Sequence, residues 1–163
     1  MMRLTLCSCL LALVTLSARV DASGDQGLCR APEAAFFNCR TANRAYVSLC
    51  APQPKALQYR YGIAGKAFAF PQEVAGSSGR FRIASYARFG VERTEVNFSN
   101  SGVDYALFDY TEDGVRRAGV RVVMADGKEK EFLCKGRIDS RLAELKTVLQ
   151  CDADHALNGG ACP

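Results

Sequence analysis

The stretch VERTEVNFSNSGVDYALFDY, residues 91–110, decides the fold of this chain. Val96 and Phe98 alternate with polar residues, which is the period-two pattern of a half-buried β-strand. The turn sequence Asn100-Ser101-Gly102 follows, and then a second strand-like run at 103–110. Turn residues between two strand-like runs are typical of a β-hairpin. The stretch therefore predicts two antiparallel strands joined by a tight turn.

Strand-like runs continue on both sides of this hairpin. They occupy residues 57–61, 66–70 and 80–89 before it, and residues 115–125 and 129–135 after it. Pro71 ends one run because proline has no N–H to donate to a β-ladder. Glu112-Asp113-Gly114 and Asp126-Gly127 mark two further hairpins. About nine short strands at this spacing predict a mainly β fold, a single antiparallel β-sandwich or small barrel.

One late segment has helical periodicity instead. Asp139 or Ser140 is suited to cap its start, and its apolar residues recur at three- and four-residue steps at Ile138, Leu142, Leu145 and Leu149. The pattern predicts one C-terminal amphipathic helix that covers a barrel end or a sheet edge. No repeat or linker indicates a second domain.

The first 22 residues predict export. Met1-Met2-Arg3 gives a positive start, residues 4–17 form an uncharged apolar run, and Val20-Asp21-Ala22 forms a small-residue cleavage pattern. The run is too short for a membrane-spanning helix. We therefore expect residues 1–22 to be a cleaved signal peptide and residues 23–163 a single disulfide-bonded β-rich domain. The expected location is secreted or periplasmic, with no membrane span after cleavage.

Six cysteines remain beyond the signal peptide, and an exported protein keeps such thiols oxidised. They are Cys29, Cys39, Cys50, Cys134, Cys151 and Cys162. An even set predicts three disulfides, although spacing alone does not resolve the pairing. Local closure favours Cys39 with Cys50 and Cys134 with Cys151, and leaves Cys29 with Cys162 to join the two ends. No CxxC pair is present, so the sequence predicts no zinc site.

The sequence contains no recognisable catalytic constellation. It lacks a G-x-S-x-G nucleophile motif, and its one histidine, His155, lies beside the predicted helix. Acid pairs such as Glu92 with Glu95, or Asp104 with Asp109, are common on solvated strands. We therefore predict no catalytic residue, metal or cofactor, and a protein that is not an enzyme. The net charge of +4 is too small, and its basic residues too scattered, to predict a nucleic-acid partner.

Two features favour a binding role. Tyr59 and Tyr61 share one face of their strand, and outward-facing tyrosines stack on sugar rings or anchor interfaces. The segment 100–105 places a hydroxyl, a glycine and a tyrosine at a hairpin tip, a shape that can enter another protein's cleft. The first feature predicts a glycan- or envelope-binding module, and the second predicts a protein-binding module.

Several segments carry a resemblance to a known group. Tyr46-Val47-Ser48-Leu49-Cys50, residues 57–62, residues 96–105 and the ending 151–163 resemble a group of uncharacterised secreted proteins of Gram-negative bacteria. That likeness covers most of the chain after the signal peptide and implies no activity.

A second likeness is local to the predicted hairpin. Ser101, Gly102 and Tyr105 match the Ser-Gly-x-x-Tyr loop of bacterial periplasmic lysozyme inhibitors, which are small β-barrels. Those inhibitors have a tryptophan after the loop, and this chain has none. The likeness implies an inhibitor of a cell-wall hydrolase with these three residues in its binding loop. The expected partner is then another protein or an envelope component.

Overall fold

The computed structural model describes residues 27–53, 55–158 and 162. The predicted signal peptide, residues 1–22, lies outside the described residues. The strands are β1 Ala34–Thr41, β2 Tyr46–Ala51, β3 Gln58–Ile63, β4 Lys66–Phe70, β5 Arg82–Arg88, β6 Val91–Asn100, β7 Val103–Glu112, β8 Val115–Val123, β9 Glu129–Ser140 and β10 Gln150–Cys151. They form one sheet in the order β10-β5-β6-β7-β8-β9-β1-β2-β3-β4.

The sheet curls into a half-barrel, so the predicted mainly β, small-barrel class is confirmed. Every strand pair is antiparallel except β10 with β5, which is parallel. The turns predicted at 100–102, 112–114 and 126–127 join β6 to β7, β7 to β8 and β8 to β9. Strand β4 ends immediately before Pro71, as predicted.

The core lies on the concave face of the sheet. Val96 and Phe98 on β6 point into it, which agrees with their predicted alternation. Aromatic rings fill the space that the curl encloses. Phe98 is central, because its ring centroid lies 4.7 Å from that of Phe70 and 5.3 Å from that of Phe81. Such contacts add stability beyond the buried area itself.

The predicted C-terminal helix is not confirmed. Ile138 belongs to β9, where it pairs with Cys39 of β1, and a short 3₁₀ segment, Leu142–Thr147, follows. Leu142, Leu145 and Leu149 are nevertheless buried in the core. A 3₁₀ turn places residues three apart on one face, much as an α-helix does, so apolar spacing alone does not distinguish the two. In the described part of the chain, no helix is long and apolar enough to cross a membrane.

The six cysteines form three disulfides, but the predicted pairing is wrong. The bonds are Cys29–Cys50, Cys39–Cys134 and Cys151–Cys162. The reason is the strand order, because β9 returns beside β1 and brings Cys134 opposite Thr41, next to Cys39. In the β1–β2 pair, Cys39 lies opposite Val47, so it is out of register with Cys50.

Candidate binding site at the β6–β7 hairpin

The tip of the β6–β7 hairpin is a two-residue turn. Ser101 and Gly102 have φ values of 52° and 76°, and the pair Asn100↔Val103 closes the strands behind them. Positive φ at both central positions defines the type I′ turn that suits the twist of a hairpin. Both residues are exposed. The structure therefore presents Ser101 and Gly102 at a narrow, projecting tip.

Tyr105 has a different role from these two residues. Its ring is half-buried and stacks on Phe98, with centroids 4.7 Å apart and planes within 1° of parallel. Tyr59 and Phe68 lie 5.9 Å and 6.2 Å from it. Tyr105 thus anchors the base of the hairpin in the aromatic core, while Ser101 and Gly102 are the residues available to a partner.

The predicted tyrosine-lined binding face does not form. Tyr59 is only 1% exposed, and burial raises the pKa of its hydroxyl. Tyr61 is half-buried, and its hydroxyl accepts a hydrogen bond from Asn43 Nδ2 at 2.8 Å. The alternation correctly predicts a strand with Tyr59 and Tyr61 on one face, but this face points toward the core. A glycan-binding site cannot be built on Tyr59.

A polar cleft of about 590 Å³ lies at the foot of the hairpin. The cleft lies between segment 79–82, the parts of β6, β7 and β8 on the side of the hairpin tip, and the C-terminal segment 150–158. This last segment is here called the tail. The polar lining of the cleft comprises Arg80, Arg82, Glu95, Asn97, Ser99, Asp104, Arg121, Asp152 and His155. The structure thus brings polar groups together from segments far apart in sequence.

Glu95 is a buried carboxylate in this lining. Its side chain is 1% exposed, and Arg121 Nη1 donates to its Oε1 at 3.3 Å. Its Oε2 lies 3.0 Å from His155 Nε2. A buried charge needs such partners, because an unpaired one costs several kcal/mol of desolvation. Glu92 is exposed, as expected of an acid on a solvated strand, and it lies three residues away on the same strand, so the two side chains point to opposite faces.

His155 holds the tail against the sheet. Its Nδ1 accepts a hydrogen bond from the Leu157 N–H at 3.2 Å, while Nε2 faces Glu95. Both ring nitrogens of His155 therefore have structural contacts. The tail is also held by Asn158 Oδ1, which accepts a hydrogen bond from the Ser85 N–H at 3.0 Å, and by the parallel pairing of β10 with β5.

Four cleft groups are less fully partnered. Glu95 Oε2 and Asn97 Nδ2 are buried and have no hydrogen-bond partner among the described residues. Arg80 and Arg82 are exposed and form no ion pair with a carboxylate in the described ranges. The sequence analysis missed this cleft, because its residues follow the polar alternation of ordinary solvated strands.

Three side chains lie as close together as the ligands of a metal ion do. Cys29, Glu33 and Cys50 lie within 4.8 Å of one another. The two sulfurs are bonded to each other, and Glu33 accepts two hydrogen bonds from Arg60. This group is therefore a disulfide beside an ion pair, since a metal would need free thiolates.

Comparison of the chain with family models, with curated proteins and with solved structures found no match. The interpretation of the hairpin and of the cleft therefore rests on their own geometry.

Proposed function

We propose that this protein is an exported, non-enzymatic binding protein that inhibits a cell-wall hydrolase by inserting the β6–β7 hairpin tip into the enzyme's cleft. The observation that carries the proposal is the exposed two-residue tip at the end of two ten-residue strands. A tip built this way is preorganised, so binding loses little conformational entropy.

The chemistry of the tip suits a glycoside hydrolase. Such enzymes have a pair of carboxyl groups in a cleft. The exposed hydroxyl of Ser101 can donate a hydrogen bond to a carboxylate, and Gly102 presents no side chain that would limit the approach of the tip. Below them, Ser99 Oγ donates to Asp104 Oδ1 at 2.5 Å across the two strands. Tyr105 contributes by fixing the base of the hairpin.

The proposal is tested by the rate at which a lysozyme clears a peptidoglycan suspension in the presence of the purified, oxidised protein. We expect inhibition, and we expect Ser101→Ala to weaken it by about tenfold, the loss of one well-placed contact. Asp113→Ala is the matched control. Asp113 occupies the equivalent two-residue turn at the opposite end of β7 with a φ of 46°, so both variants place alanine in left-handed backbone.

Two results would contradict the proposal. One is the absence of inhibition across several lysozyme types. The other is inhibition that Ser101→Ala and Asp113→Ala reduce equally, because the effect would then come from turn strain and not from contact with the partner.

A further inference from the structure

We propose that the polar cleft at the foot of the hairpin binds a small ligand that carries a carboxylate and several hydroxyl groups, as a uronic acid does. In this proposal Arg80 and Arg82 hold the carboxylate. The inference does not depend on hydrolase inhibition, because it concerns the cleft and not the exposed tip at Ser101 and Gly102, and a different class of ligand.

The two arginines are held in place by neutral groups. Arg82 Nη1 donates to the carbonyl oxygens of Gly79 at 3.2 Å and Phe81 at 3.4 Å. The guanidinium of Arg80 lies 5.5 Å from the centre of the Phe70 ring. These contacts orient the side chains without neutralising their charge. An oriented guanidinium with no carboxylate partner is suited to a bidentate bond with an incoming carboxylate.

The other cleft groups suit hydroxyls. Asp104 and Asp152 supply acceptor oxygens, and Asn97 Nδ2 is a donor with no partner among the described residues. A hydroxyl both donates and accepts, so a polyhydroxylated ligand can satisfy all three. The acids also set the orientation of the ligand, because its carboxylate is repelled from them and attracted to the arginines.

One acid of the cleft has a charged partner within the protein. Glu95 is paired with Arg121, which also lies within 3.4 Å of Glu129 and Glu131, and it contacts His155. The volume of about 590 Å³ lies within the range of about 300–1,000 Å³ typical of small-molecule sites. The cleft is thus large enough for a sugar ring, and two arginines of its lining, Arg80 and Arg82, have no carboxylate partner among the described residues.

The test is an NMR titration of the oxidised protein with glucuronate and with glucose, which lacks the carboxylate. We expect glucuronate to shift the amide signals of Arg82, Asn97 and Ala106, and glucose to leave them unchanged. The double variant Arg80→Ala/Arg82→Ala should weaken glucuronate binding by at least about tenfold, since both guanidiniums are lost. Arg88→Ala/Lys135→Ala, which removes two exposed cations outside the cleft, should leave it unchanged.

Three outcomes would overturn the proposal: no shift at the cleft amides, equal binding of glucose and glucuronate, or equal losses in the two double variants. A further titration with a short oligogalacturonate shows whether the cleft binds a free uronic acid or the end of a uronic acid polymer. Binding of either one supports the proposal. The clearing assay reports separately on the hairpin, so either proposal can fail while the other stands.

Discussion

At the residue scale, the contact between His155 and Glu95 ties the tail to the sheet. His155→Ala removes the imidazole whose Nε2 lies 3.0 Å from the buried Glu95 Oε2, an oxygen that accepts no hydrogen bond among the described residues. We expect the free energy of unfolding to fall by about 1 kcal/mol, because the tail loses its close polar contact with the sheet. Urea unfolding of the oxidised protein measures this loss.

A double-mutant cycle with Glu95→Gln separates this contact from other effects of the substitution. Because glutamine has no charge to stabilise, the cost of His155→Ala should shrink in that background. An equal cost in both backgrounds would show that the contact contributes nothing specific to stability.

A second residue-scale prediction concerns Glu33 and Arg60. Their side chains are 12% and 11% exposed, and the guanidinium donates to both carboxylate oxygens at 2.6 and 2.8 Å. Burial raises the pKa of Glu33, but the bonds from Arg60 and from the Arg30 N–H outweigh it, so the net pKa is below the usual 4.5. A carboxylate with a lowered pKa in the folded state stabilises the fold above its unfolded pKa. That contribution is lost as the pH falls through the folded value.

We therefore expect Glu33→Gln to destabilise the protein by about 1–3 kcal/mol at pH 7, where the pair is fully ionised. The difference from wild type should shrink progressively below pH 4.5, as Glu33 becomes protonated. Urea unfolding at several pH values measures the difference, and a difference that stays constant between pH 7 and acid would refute the ion-pair account.

Sequence reasoning could identify part of the candidate site at this scale. The turn chemistry is local and correctly predicts that Ser101 and Gly102 lie at a tip, whereas the predicted position of Tyr105 at the same tip is wrong, because its ring stacks on Phe98. Glu95 and His155 were not brought together, because their contact depends on the tail pairing with β5 after the chain has crossed the whole sheet. No local pattern reports such a long-range contact. Tyr59 shows a related limit, since alternation identifies two strand faces without telling which one is buried.

At the element scale, β8 and β9 approach each other closely at Gly119. A Cβ at this position would lie 2.3 Å from the Phe132 carbonyl oxygen, which belongs to the backbone and cannot rotate away. Gly119→Ala should therefore spread the two strands and lower the free energy of unfolding by about 1–3 kcal/mol, as overpacking does. Thermal or urea unfolding is the measurement.

The matched control for this prediction is Gly79→Ala. A Cβ at Gly79 meets no atom within 4 Å, and its φ is not in the left-handed region. Such a substitution is expected to be close to neutral, because it also reduces the freedom of the unfolded chain. If the two variants are equally stable, the close approach at Gly119 does not matter.

The elements also show why some structure is predictable and some is not. Strands β4 to β8 were located closely because their alternation and their turn residues agree. The prediction of a helix over 138–149 is wrong because Ile138 extends a strand, Leu142 and Leu145 lie on a 3₁₀ segment, and Leu149 follows that segment. The spacing of these apolar residues fits an α-helix equally well. Only the pairing of β9 with β1 distinguishes a helix from a strand followed by a 3₁₀ segment.

At the scale of the whole molecule, sheet order determines the disulfides. Cys39 and Cys134 join β1 to β9, which are neighbours in the sheet but 95 residues apart in sequence. Cys151–Cys162 closes only 11 residues at the end of the chain. The sequence predicted that all six cysteines pair, but it could not reveal the crossover that places β9 beside β1.

This arrangement predicts a ranking of the disulfides. In the loop-entropy description, the Cys39–Cys134 bond contributes about 4.7 kcal/mol and Cys151–Cys162 about 2.8 kcal/mol, because the larger loop restricts the unfolded chain more. Cys39→Ala/Cys134→Ala should therefore lower the free energy of unfolding more than Cys151→Ala/Cys162→Ala, as measured in urea under oxidising conditions. Cys39 is also 1% exposed, so its loss opens space in the core and adds to the difference. The reverse ranking would mean that the tail, held by His155 and this short loop, stabilises the sheet more than the bond across its centre.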